Sequence, residues 1–255
     1  MILRSVLLAA AAGFLCLPPV THAADIGVLM PAAPGLRVLT RQAQVWDSAL
    51  GIASAVTSGR NSELTGWARR DRVDLPARLT QQLIASFRIT GRSANLIAVT
   101  HRPGNAGLPI TRDQIPEHPS ATLLLDLTFD YAGLYANSDG SPFRPAFIIT
   151  YRWVNSRGDL VQGSRPIVYN GELWNAYRVS LKALLVVQAP PPGMPFIEVD
   201  PDCKFESFGE AEEGAAKLWD CFDKALQKIA DQIADDVPSA RNLSGGMTSE
   251  RPDNP

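Results

Sequence analysis

Apolar and polar positions alternate most cleanly in Thr122 to Asp130, where Leu123, Leu125, Leu127 and Phe129 fall on one side of an extended chain and Asp126, Thr128 and Asp130 on the other. Successive side chains of a strand point to opposite faces, so this spacing predicts a strand with one buried and one solvated face. Phe147 to Val154 repeats the pattern: Phe147, Ile149, Tyr151 and Trp153 lie on one face, Thr150 and Arg152 on the other. Asn155 to Asp159 reads as a turn from which Leu160 to Gln162 returns antiparallel, and Ile167 to Tyr169 extends the sheet after Pro166. Short apolar runs at Ile26 to Met30 and Asn95 to Thr100 read as further strands.

Elsewhere the period lengthens to that of a helix. Leu218, Phe222, Ala225, Leu226, Ile229 and Ile233 form one apolar stripe near the C-terminal end. Leu75, Leu79, Leu83 and Phe87 recur every fourth residue, with Asp74 placed to cap the helix and Pro76 in its first turn. Val45 to Val56 and Leu173 to Leu185 carry helical spacing too, the second closed by Pro190, Pro191, Pro192 and Gly193. These elements predict a single α+β domain over residues 24–237, an antiparallel or mixed sheet of three to five strands covered on one face by amphipathic helices. Residues 238–255, rich in Pro, Gly and Ser, read as a disordered tail. The element order, closing on LWDCFDKALQKIADQIADDV, resembles in pattern, without a diagnostic motif, small periplasmic auxiliary domains of envelope transport and assembly systems.

The first residues change the setting. Arg4 precedes an apolar run from Val6 to Leu17, long enough for a signal peptide and short of the ~20 residues that span a bilayer. Thr21, His22 and Ala23 place cleavage after Ala23, so residues 1–23 read as a signal peptide. Lipidation at Cys16 is disfavoured because bulky Phe14 and Leu15 precede it. Export to the periplasm or beyond leaves Cys203 and Cys221 as the only thiols, and an even pair in an oxidising compartment predicts a disulfide.

After cleavage the chain carries 23 basic and 26 acidic side chains, net −3, a balance that argues against nucleic acid or an anionic membrane surface as partner. Catalysis would fall to His101 or His118, at the ends of a long Pro-rich loop, yet no Gly-x-Ser-x-Gly elbow, His-Glu-x-x-His or phosphate loop accompanies them. Asp126 and Asp130 are about 13 Å apart along an extended strand, too far for a retaining carboxylate pair, and read as part of a solvated face. Glu198, Asp200 and Asp202 are candidates for a hard cation such as calcium. The calcium-loop pattern fails at the sixth and twelfth positions, Cys203 and Gly209, so the stretch reads as an acidic surface loop. Arg157, Gly158 and Asp159 are residues a turn selects on backbone grounds. Asp235 and Asp236 sit where the dipole of the last helix favours cations. No catalytic residue, cofactor or metal is assigned. The expected role is a non-catalytic periplasmic protein that binds a small ligand or an envelope protein; the alternative is a periplasmic hydrolase using His101 or His118.

Overall fold

A computed structural model describes residues 24–41, 55–99, 109–116, 119–138, 140–177 and 193–238. Their strands join one mixed sheet of seven. The centre is β4 (Ala121–Ala136), paired antiparallel along its length with β5 (Arg144–Asn155), which pairs antiparallel with β6 (Leu160–Tyr169). Two-residue β7 (Phe196–Ile197) closes that edge, parallel to β6. On the other side of β4, β1 (Ala24–Leu29) and β2 (Arg37–Thr40) lie parallel to its first and last parts, and β3 (Ala94–Ile97) forms the edge beyond β1.

The strand count exceeds the three to five expected. Runs of two and four residues, as in β7 and β2, are too short to display a period. The two pieces expected around Pro166 are one strand, because β6 continues through the proline opposite Thr150.

β4 contains the feature that sets both faces of the sheet. Pairing passes from Phe129 opposite Ile149 to Tyr131 opposite Ile148, leaving Asp130 as an extra, bulged residue. The bulge reverses the alternation. Leu123, Leu125, Leu127 and Phe129 therefore share a face and a core with Ala132, Leu134 and Ala136.

Helices cover that face: α1 (Ala55–Arg70), α2 (Leu75–Ile89), the short α4 (Phe208–Glu213) and α5 (Ala215–Asp235). Asp74 caps α2 by accepting from the Ala77 N–H, as its position predicts. α5 buries Leu218, Phe222, Leu226, Ile229 and Ile233 and pairs with α2 through Arg78 and Asp223, 2.7 Å apart. Cys203 and Cys221 form the disulfide, Cα atoms 5.5 Å apart and both residues buried. It ties the segment before α4 to α5.

The opposite face is not solvated as expected. Tyr131, Tyr135, Ile148 and Val168 pack there with Leu173 and Trp174 of α3 (Gly171–Tyr177), so helices lie on both faces. Leu29, Leu124 and Val154 pack beneath Ile110, carried by the segment that leads into the 3₁₀ turn Arg112–Gln114. Of the helix expected over Leu173 to Leu185, the part after Tyr177 lies outside the described residues, as does almost all of Val45 to Val56. The signal peptide at 1–23, including Cys16, and all but the first residue of the expected tail also lie outside them.

Candidate functional site

Besides a cleft of about 420 Å³ in which Tyr151 and Arg165 are already paired with Asp236, two places in the described structure gather polar groups against a cavity. The first is a strip on the second sheet face, between its two apolar clusters. Asp126, only 1% exposed, accepts from the Ile110 N–H and from Arg152 Nε, each at 3.0 Å. Arg152 also donates to the Ile110 carbonyl, so this pair clamps the covering segment onto the sheet. Asp130 at the bulge accepts from the Thr150 hydroxyl at 2.6 Å. Burial pushes the Asp130 carboxyl above its usual range, against hydrogen bonds from Thr150 and Thr128 that hold it down. Asp126 and Asp130 therefore belong to a covered strip rather than a solvated face. The cavity between them, with Pro109 and Ser164 on its wall, measures about 80 Å³. That is room for a few waters and not for a ligand.

The other sequence candidates are dispersed. His101 and His118 lie outside the described residues. Glu198, Asp200 and Asp202 follow β7, and among the described residues no three or more His, Cys, Asp or Glu side chains are grouped to hold a metal. The Asp202 N–H donates to Asp200 Oδ1, and the Glu198 carbonyl accepts from Lys228. Lys224 titrates above its usual range, chiefly through its hydrogen bond to Asp220 and also through the charges of Asp200 and Asp202. The acidic loop thus faces a lysine of its own chain. In the Arg157-Gly158-Asp159 turn, Asn155 Oδ1 accepts from the backbone N–H groups of Arg157 and Asp159, and Asp159 accepts from the Asn155 amide. Asp236, which caps α5, accepts from Arg165 at 2.8 Å and from Gln162 and Tyr151. The cation expected at that helix end comes from β6.

The second place is a groove of about 440 Å³ between the β1–β2 connection and the corner joining α1 to α2. Leu36, Ala68, Leu75 and Pro76 form a buried apolar floor, with half-buried Val73 beside them. Arg69 and Arg72 are exposed on its rim.

The corner is built by the way α1 ends. The Val73 N–H donates to the Ala68 carbonyl at 2.8 Å and the Arg72 N–H to the Arg69 carbonyl at 3.2 Å, the two bonds of a Schellman stop. That geometry puts Arg72 in the left-handed region, φ 54°. The next helix ends in the same motif, with the Arg92 N–H on the Phe87 carbonyl and the Gly91 N–H on that of Arg88. Its left-handed position is Gly91, φ 77°. Two consecutive helices thus solve one backbone problem, one with the residue that suits it and one with an arginine.

Neither Arg69 nor Arg72 has a carboxylate within ion-pair reach among the described residues. The nearby acids are engaged elsewhere. Asp71 pairs with Arg70 at 3.1 Å and accepts from Trp219 Nε1 at 2.7 Å, contacts that lower its carboxyl pKa, the Trp219 bond most. Asp74 serves as the α2 cap. Sequence reasoning missed this site because three separate segments build it. The available signal was WARRDRVD, Trp67 to Asp74, a helix end with no Gly or Asn where a stop is needed. No protein-family model, curated protein or solved structure matches this chain.

Proposed function

We propose that the protein is an exported, non-catalytic binding or accessory protein of the bacterial cell envelope, and that its binding site is the groove at the α1–α2 corner. The observation that carries this reading is a preformed concavity of about 440 Å³ with an apolar floor and two arginines that nothing in the described chain neutralises. Its size falls in the ordinary range of small-ligand sites, where apolar lining supplies affinity and a few polar groups supply orientation. Export is supported by the buried Cys203–Cys221 disulfide, a bond typical of oxidising compartments. No helix among the described residues is long and apolar enough to cross a membrane.

Amide chemical shifts of labelled protein titrated with a fragment library test the site while the natural ligand is unidentified. Shifts concentrated at Leu36, Ala68, Val73 and Leu75, and lost in Ala68→Trp, are the expected result. Shifts concentrated elsewhere would overturn it.

A further inference from the structure

We infer that the groove takes a single-chain amphiphile with an acidic headgroup, the anion set against Arg69 and Arg72 and the chain laid over Leu36, Ala68, Val73 and Pro76. This rests on the groove being the binding site. At about 440 Å³ the groove is of the size that takes small ligands, and a headgroup with a chain of about ten carbons suits it.

Charge complementarity chooses the headgroup. Arg69 and Arg72 are exposed without an acidic partner among the described residues, while Arg70 between them is paired with Asp71. A guanidinium presents a planar fork of donors that matches a carboxylate or phosphate. Asp74 also lines the groove, its Oδ1 held by the Ala77 N–H as the α2 cap, so the wall carries two cations against one anion; a cationic ligand would meet that net positive charge, and a neutral one would leave both guanidinium groups to water. The overall charge conceals this local excess, because residues 24–120 carry 11 basic and 7 acidic side chains whereas residues 121–255 carry 12 and 19.

Arg72 supplies an independent observation. Its left-handed backbone is tolerated by Gly at no steric cost and disfavoured for residues with a Cβ. A charged side chain held in that conformation on the rim of a cavity is a residue retained against local stability, which points to a role for the side chain. The apolar floor then excludes a bare inorganic anion as the best fit, since such an anion would leave the floor uncovered. Nucleic acid is a poor fit as well. The described residues around the groove include no aromatic on which a base could stack.

The test is calorimetric titration of the chain from Ala24 onward with decanoate, decyl phosphate, decanol and decyltrimethylammonium, each below its micellar concentration. Vesicles bearing an acidic headgroup form a separate arm. Decanoate or decyl phosphate binding one to one, with decanol at least about tenfold weaker and the cation silent, is the expected result. The Arg69→Gln/Arg72→Gln double variant should bind decanoate no better than decanol. Arg72→Gly should weaken decanoate binding while raising the melting temperature, so lost binding cannot be ascribed to misfolding. Equal binding of decanol and decanoate would overturn the acidic headgroup, and amide shifts at Leu36 and Ala68 would then still place a chain in the groove. Binding to the vesicles alone would overturn the inference in favour of a membrane surface. No amide shift in the groove with any of the four compounds would overturn the groove reading itself.

Discussion

Arg72 and Asp130 are two residues held where isolated chemistry would not put them. A Cβ in the left-handed region costs about 1 kcal/mol, offset in part by the extra freedom Gly has in the unfolded chain. Arg72→Gly should therefore raise unfolding stability by about 0.5 kcal/mol in urea titrations, and Gly91→Ala, at the equivalent stop of α2, should lower it by a similar amount. A fall in stability for Arg72→Gly would mean that the arginine is held by folding rather than retained for binding. At Asp130 burial raises the carboxyl, so the folded chain binds its proton more tightly than the unfolded chain. This group's contribution accordingly improves as pH falls through its raised folded value and levels off below the ordinary 3.8, and the cost of burying the charge is greatest above that folded value. Asp130→Asn keeps an oxygen for the Thr150 hydroxyl and should stabilise the protein at pH 7, the advantage shrinking as denaturation is repeated toward pH 4. An advantage that grows on acidification would contradict the desolvated carboxyl. The sequence spacing placed Asp126 and Asp130 on the correct strand and on one side of it. It could not show that the segment carrying Ile110 would cover them, because that contact spans a separation along the chain that no local period encodes.

At the scale of elements, α5 and α2 were legible because each buries a full apolar stripe at helical spacing. α1 was not. Its buried residues among those described, Leu64, Trp67 and Ala68, are too few to stand out within AVTSGRNSELTGWARR. β4 was legible as far as Phe129 and no further, since the bulge at Asp130 moves the positions that face the main helical core from odd to even numbers. Beyond the bulge, β2 docks on β4 at Gly133, where an added Cβ would lie 1.8 Å from the Arg37 carbonyl oxygen. Backbone cannot yield there as a flexible side chain could. Gly133→Ala should push β2 away and cost at least about 2 kcal/mol, within the range of substitutions that break a packed contact. Amide exchange separates this from general loosening: Val38, Leu39 and Thr40 should lose protection while β5 keeps it. Uniform loss would show that β2 and the sheet unfold as one unit.

For the whole molecule, the sequence made the disulfide legible and the groove illegible, and the difference lies in how many segments each needs. The disulfide joins two residues 18 apart, one of them on a helix whose pattern was clear. The groove needs the β1–β2 connection, the end of α1 and the start of α2 at once. The bond also bears on where the protein works. Its closure of a short loop should stabilise the fold by roughly 3 kcal/mol in the chain-entropy account. Replacing both cysteines by alanine, or reducing them, should then lower the melting temperature by about 6–12 °C for a chain of this size. Intact-mass analysis of protein recovered from the periplasm should give a chain starting at Ala24, two hydrogens lighter than its reduced form and resistant to alkylation. The two measurements constrain each other. A bond that forms in the periplasm and contributes several degrees ties folding to export, because the same chain held in a reducing cytoplasm would lack that stabilisation. A chain that retains its first 23 residues with both thiols free, and melts at the same temperature as the double alanine variant, would remove the disulfide from the stability of the fold and the export reading with it.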